Sequence, residues 1–338
     1  MRNKEWAAIL CALLAAAFYA LNAPMSKLLL VGVQPTMMAA MLYLGAGLGV
    51  GLLSLARRDR GRTRERLGQG DLPYVLGMIV LDIAAPILLM VGLSGTTAAN
   101  AALLNNFEIV ATTVIALCLF REHVSPRFWG AVALIAAASA LLTFEGRASF
   151  QFSRGSLLIL LAACCWGLEN NCTRMISSKD TYEIVTLKGV FSGLGSLVIA
   201  LLTGESLPPV GLLLPALLLG FVAYGLSIFF YIRAQSVIGA AKTSAYYALA
   251  PFIGVLLSFL ILREPFSATY GAALLVMAVG SAVSVWDTLA HGHSHSHSHR
   301  MLRIHQGRLV MERVTHTHEH EHIGRGIFHG HIHCGKGE

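Results

Sequence analysis

The chain has 338 residues, 55% of them hydrophobic and only 13% charged, with mean hydropathy +0.65. A soluble domain is about 25% charged, so this composition excludes an ordinary water-soluble enzyme or binding module and indicates an integral membrane protein. The formal net charge of +7 does not point to nucleic acid, because the basic residues sit in short loops between apolar runs.

Strands of alternating polarity, which a membrane barrel needs, are absent, and the apolar runs are continuous. The expected fold class is therefore an all-α integral membrane protein. About 20 apolar residues cross a hydrocarbon core of roughly 30 Å. On that scale ten spans are predicted, at 6–31, 36–55, 73–93, 97–120 and 127–144, then 156–174, 184–203, 212–234, 240–262 and 268–286. The first resembles a signal peptide in its flanks, yet it is long, lacks a convincing cleavage site and has a counterpart later in the chain, so it reads as a retained helix. Five of the six cysteines, Cys11, Cys118, Cys164, Cys165 and Cys172, fall inside apolar runs without CxxC spacing and are expected to be reduced structural thiols.

Basic residues such as Arg57, Arg58, Arg60, Arg62, Arg64 and Arg66 crowd into alternate loops. The positive-inside rule then puts both termini in the cytoplasm, with the protein multi-pass in a plasma (inner) membrane. The halves also align. Tyr19, Asn22 and Lys27 match Trp166, Glu169 and Arg174, and the stretch ending in Arg121-Glu122 matches the one ending in Arg263-Glu264. Five spans per half is an odd number, so the second copy enters the bilayer upside down, and inverted repeats place substrate sites near the midplane between the halves. Three segments are expected: a first five-helix repeat at 1–145, a second at 154–286, and a tail at 287–338.

The five-plus-five plan, the aromatic-rich end of the first helix in each half and the two Arg-Glu ends resemble the EamA family of the drug/metabolite transporter superfamily. The resemblance covers roughly residues 6–286. It implies a ten-helix secondary transporter, usually an exporter, with a central cavity. Members handle amino acids, other metabolites and, in some cases, nickel or cobalt, so the resemblance leaves the substrate open. The Asn105-Asn106-Phe107-Glu108 cluster, the Glu169-Asn170-Asn171 cluster and the histidine-rich tail depart from the simplest members.

Intramembrane polar groups are costly and are site candidates by default. Asn105, Glu108 and Thr112 share one face of a continuous helix at spacings of three and four, with Asn106 beside them. They suit a cation or proton path, or a structural hydrogen-bond network. Asp82 stands four residues before Pro86, either pairing with a cavity cation or capping backbone groups that the proline frees. Glu169, Asn170 and Asn171 suit a gate or an inter-helix amide lock, and Asn22 is the counterpart of Glu169. Tyr246 and Tyr247, with Pro251 beyond them, can line the path or face other helices. Lys27 and Arg174 read as helix-end cations that snorkel to the interface. Gly45, Gly47, Gly49, Gly51, Gly189 and Gly193 have the spacing of close helix packing. The deep ionisable groups in this reading, Asp82, Glu108 and Glu169, are all acidic, which favours a cationic substrate, proton coupling, or both.

Twelve of the 14 histidines lie in the tail in three alternating runs: His291, His293, His295, His297 and His299; His316, His318, His320 and His322; and His329, His331 and His333, followed by Cys334. Neutral imidazoles suit Zn, Ni or Co, and alternating spacing lets a flexible segment close on a metal. Periodic apolar residues (Leu302, Ile304, Leu309, Val310) hint at a short strand pair. No phosphate loop is present, since Ala241 precedes Lys242 where a glycine is required, and no G-x-S-x-G or HExxH motif appears. The chain is therefore expected to be a transporter rather than an enzyme, driven by an ion gradient and needing no cofactor for transport. Its expected partners are the bilayer and a small-molecule or metal-ion substrate, with a homodimer left open. Three functional readings follow: export of a small metabolite or cationic solute, efflux of a divalent metal, and a membrane-anchored metal sensor that transports nothing.

Overall fold

The computed structural model describes residues 2–56, 67–120, 126–145, 151–176, 179–238, 243, 246–291, 293–305 and 308–320. The helices are α1 (Arg2–Ala20), α2 (Asn22–Leu29), α3 (Pro35–Ala56), α4 (Leu72–Ser94), α5 (Ala98–Leu104), α6 (Phe107–Phe120), α7 (Pro126–Thr143), α8 (Arg154–Met175), α9 (Thr181–Leu202), α10 (Val210–Gly220), α11 (Ser227–Ile238), α12 (Ala250–Leu262) and α13 (Ala268–His291). Among the described residues seven segments are long and apolar enough to cross a bilayer: Lys4–Leu29, Pro35–Leu55, Gln69–Ser94, Arg154–Thr173, Tyr182–Leu202, Val210–Ala234 and Ala268–Asp287. Arg127–Thr143 and Ala250–Leu262 are shorter apolar helices.

The expected continuous helix over 97–120 is interrupted. Thr97 caps α5 by accepting from Asn100 N at 3.1 Å, and the segment ends at Asn105 and Asn106 before α6 begins. Asparagine amides compete with the helical ladder for backbone groups, and two in succession favour a break. The expected span over 212–234 is α10 and α11 joined by a wider turn at Phe221–Leu226. Wide turns of this kind are frequent at functional sites, and this one carries Tyr224.

The helices pack as α3 on α9, α4 on α8, α1 on α11, α7 on α13, α6 on α8, α1 on α12 and α5 on α12. Glycines set the closest approach. A Cβ added at Gly47 would stand 2.4 Å from Val190 N, and one at Gly189 would stand 2.5 Å from Gly47 Cα. An added Cβ would stand 2.7 Å from Leu44 N at Gly193, 2.0 Å from the Leu217 carbonyl oxygen at Gly45 and 2.1 Å from the Leu42 carbonyl oxygen at Gly220. The packing role expected of these glycines is the one they have.

Met37, Met38, Leu42, Leu89, Met90, Leu103, Leu104 and Ile159 are fully buried, while Leu52, Leu55, Leu202, Leu260, Leu275 and Trp286 are exposed. An apolar exterior on this scale suits lipid rather than water.

Two antiparallel ladders complete the chain. Phe144–Glu145 (β1) pairs with Gln151–Phe152 (β2) between α7 and α8, and His293–His305 (β3) pairs with Arg308–His320 (β4). His322, His329, His331, His333, Cys334, Arg121 and Glu122 lie outside the described residues.

Candidate functional site

Among the described residues, Asp82, Glu108 and Glu169 carry carboxylates into the bundle, and the structure gives them different partners. Asp82 comes from α4, is fully buried, and stands 3.0 Å through Oδ2 from Lys188 Nζ of α9. Lys188 is also 3.1 Å from Glu169 Oε1 of α8. One ammonium thus bridges two acids that no water can reach easily. Asp82 Oδ1 accepts from Tyr43 Oη at 2.9 Å, and that phenol oxygen accepts from Trp166 Nε1 at 3.2 Å. Thr173 Oγ1 donates to Glu169 one turn earlier.

Lys188 corrects the reading of a wholly acidic interior. It lies near the start of a predicted span, where a lysine ordinarily snorkels to the interface; here its stem carries the charge inward to two carboxylates instead. In the structure Asp82 pairs with this cation of the protein itself, and its other oxygen accepts from Tyr43.

Glu108 is held separately. Its Oε1 accepts from Asn170 Nδ2 at 2.6 Å, and that amide also approaches Thr112 Oγ1 at 3.4 Å. Asn171 donates to the carbonyls of Thr112 and Gly167 at 3.2 and 2.8 Å, fastening α8 to α6. Glu108 and Thr112 therefore act on one face, as their spacing predicts. Asn105 does not join them, because the break between α5 and α6 sends it elsewhere.

Asn105 lines a small cavity with Tyr19, Asn22, Ala102, Pro251 and Gly254. It is 8% exposed and Asn106 4%, and among the described residues neither Asn105 Oδ1 nor Asn106 Nδ2 has a hydrogen-bond partner. Buried amides are normally satisfied, and each orphan costs about 1–3 kcal/mol. Asn105, the one of the two that lines the cavity, presents an oxygen to which a ligand there can donate. On the opposite wall, Asn22 Nδ2 donates to Tyr224 Oη at 2.9 Å and Asn22 Oδ1 accepts from Ser26 at 3.1 Å.

Aromatic rings connect the cavity to the charges. Tyr43 and Tyr224 have ring centroids 5.4 Å apart, Tyr224 and Tyr19 5.9 Å, Tyr19 and Tyr247 5.8 Å, and Tyr247 and Tyr231 5.2 Å. Tyr247 thus packs behind Tyr19, which lines the cavity, and Tyr246 is half-buried. Sequence reasoning missed Tyr43 and Tyr224, since a tyrosine in a long apolar run has no local signal that separates it from core packing.

One end of the bundle is closed by polar contacts between distant segments. Lys27 Nζ donates to the carbonyls of Leu93 and Thr96, both at 2.6 Å, which binds it to the α4–α5 connection instead of leaving it free to snorkel. Arg263 adopts the left-handed conformation at the end of α12 (φ 52°), and the turn it makes brings Glu264 back to the start of α5. There the Glu264 carboxylate accepts from Ala98 N at 2.6 Å and Ala99 N at 2.9 Å. Glu205 caps α3 in the same way, accepting from Thr36 N and Met37 N at 3.2 and 2.6 Å. Carboxylates at helix N-termini satisfy orphan donors and complement the dipole.

Comparison with known proteins agrees with this architecture. The model of the EamA-like transporter family matches residues 6–144 and 153–286. An uncharacterized transporter of Methanothermobacter thermautotrophicus is 29% identical over 289 residues, spanning 80% of this chain and 83% of that protein. The uncharacterized transporter YyaM of Bacillus subtilis is 22% identical over 240 residues, 67% of this chain and 77% of that one. A solved crystal structure superposes with TM-score 0.62 at 20% identity, covering 83% of this chain and 96% of the other, which is a likeness of fold. With two stretches of family match and a bundle of apolar helices around buried polar groups, the chain belongs to the EamA-like transporter family, within the drug/metabolite transporter superfamily.

Proposed function

We propose that this membrane transporter is a ten-span exporter built of two inverted five-helix repeats, moving a small cationic or zwitterionic metabolite in exchange for protons. The observation that carries the reading is charge. Among the described residues of the site, Asp82, Glu108 and Glu169 set three carboxylates against one ammonium, that of Lys188. Two negative charges must be balanced by protons or by a cationic cargo, because an unpaired buried charge is too costly. Alternating occupancy by a proton and a cation is then the basis of coupling, with Glu108, free of Lys188, as the exchanging group. The substrate rests against Asn22, Asn105 and Tyr19.

The repeat plan is supported by helix pairings that come in counterparts. Under the plan α1 with α2, α3, α4, α5 with α6, and α7 make the first half, and α8 to α13 the second. The contact of α4 with α8 then mirrors that of α11 with α1, and α6 with α8 mirrors α12 with α1. Both termini are cytoplasmic in this reading, in the plasma membrane, and the tail binds metal there. The histidine runs favour a second reading, efflux of Ni, Co or Zn, in which the same acidic path carries the metal.

The test is uptake into inverted membrane vesicles, which an exporter loads. A panel of radiolabelled amino acids, organic cations and nickel, cobalt and zinc is offered to vesicles with wild-type protein or with Glu108→Gln. Accumulation of an organic solute that vanishes in Glu108→Gln is expected. Accumulation of metal alone selects the second reading, and transport that survives Glu108→Gln overturns the assignment of Glu108.

A further inference from the structure

Three helices lose their regular backbone around the cavity beside Asn105. α1 gives way to α2 at Leu21, α5 to α6 at Asn105 and Asn106, and α12 begins at Ala250 after a turn. At each place a carbonyl loses its ordinary helical donor, the N–H four residues on. For Ala20 O that residue is Pro24, which has no N–H. For Tyr247 O it is Pro251. For Ala102 O it is Asn106, whose N–H donates instead to Leu103 O at 3.1 Å. Ala20, Ala102 and Pro251 line the cavity together with Asn105, whose Oδ1 has no partner among the described residues. Gly254 lines it too, and a Cβ there would stand 3.3 Å from Ala20 O and 3.1 Å from the Ala102 side chain. The bare glycine thus leaves the Ala20 oxygen uncovered on this side.

Size and charge limit the occupant. The cavity volume is about 10 Å³, room for about one water, so an ammonium attached to a carbon chain is too large. No carboxylate, imidazole or thiol is found among the described residues that line it. Calcium and magnesium sites recruit carboxylates, and transition metals recruit imidazole or thiolate. Interrupted membrane helices, by contrast, hold Na+ with unwound carbonyls and the C-terminal ends of half-helices. We propose that this cavity is a site for one Na+ ion, held by Asn105 Oδ1 and the carbonyl oxygens of Ala20 and Ala102. A neutral cage of oxygens suits a single positive charge, which needs no buried counter-ion beside it when several dipoles point at it. The inference goes beyond the exchange of cargo for protons and does not rest on it. It adds a second ion, bound in the wall against which the cargo rests.

Binding is read on the full-length protein in detergent, with no cargo and no proton gradient. Retention of radiolabelled Na+ and the unfolding temperature are followed as NaCl replaces choline chloride at constant ionic strength. Wild type is expected to retain Na+ and to melt higher as Na+ rises, since a ligand that binds only the folded state stabilises it by mass action. Asn105→Leu keeps the size of the side chain and removes an orphaned polar group, so it is expected to fold. Its Na+ affinity is expected to fall by on the order of 10-fold or more, since disturbing residues that merely support metal ligands costs about 10–100-fold. Gly254→Ala covers the Ala20 oxygen and is expected to lose Na+ in the same way, while Gly70→Ala, which meets nothing within 4 Å, retains it. Wild type that retains no Na+ and melts alike in both salts would overturn the site, leaving a cavity that holds water. Retention unchanged in both Asn105→Leu and Gly254→Ala would overturn its location. Neither result touches the proton exchange assigned to Glu108, which is read separately by vesicle uptake.

Discussion

Lys188→Met is the sharpest perturbation the site offers. Its ammonium stands 3.0 Å from Asp82 and 3.1 Å from Glu169. At an effective dielectric of about 20 each contact is worth about 5 kcal/mol of attraction before desolvation is counted. Removing one partner of a buried pair costs about 3–5 kcal/mol net, because the charge left behind has no water. Here two carboxylates are left together, so the upper end of that range applies. In purified protein, unfolding followed by size exclusion after heating should shift down by roughly 5–15 °C. The triple variant Lys188→Met/Asp82→Asn/Glu169→Gln removes all three charges and should recover most of that shift, since a neutral set of similar volume is often no less stable than the ions. It should nonetheless fail to transport. If Lys188→Met melts with wild type, or the triple variant falls below the single one, the three groups are not the compensating set described above.

Further outcomes follow from contacts at the periphery. Glu264→Ala should cost about 1–2 kcal/mol by orphaning Ala98 N and Ala99 N, read as faster amide exchange at the start of α5. Gly189→Leu drives a side chain into the backbone of Gly47 and should cost about 3 kcal/mol or more, abolishing a monodisperse peak, whereas Gly70→Ala meets nothing within 4 Å and should be silent. Tyr224→Phe leaves the Asn22 amide unpaired, costing about 1–3 kcal/mol, and should weaken substrate uptake more than expression level.

Seven of the predicted spans have counterparts long and apolar enough to cross a bilayer among the described residues, and they were legible because about 20 apolar residues in succession admit few other readings. Glu108 and Asn170 each stood out as polar groups at depth, but their pairing did not. What escaped was everything set by three-dimensional approach. Lys188 sits where sequence position predicts a harmless interface lysine, and only the juxtaposition of α4, α8 and α9 makes it a bridge. Glu205 and Glu264 cap helices more than 160 residues away in the chain, a relation with no local trace. The separation of Asn105 from Glu108 depends on a break that composition alone does not show, because each flanking half is as apolar as an unbroken span.

The glycine seam between α3 and α9 has a mechanical consequence. Where side chains interdigitate, any sliding must lift each one over the next. At Gly47 and Gly189 the surfaces in contact are main chain, with no teeth to disengage and no rotamers to reset. Such a seam acts as a bearing. The helices on either side can tilt about it at little cost while the rest of the interface trades one set of contacts for another, and a bulky residue placed there would jam the movement even in a protein that still folds.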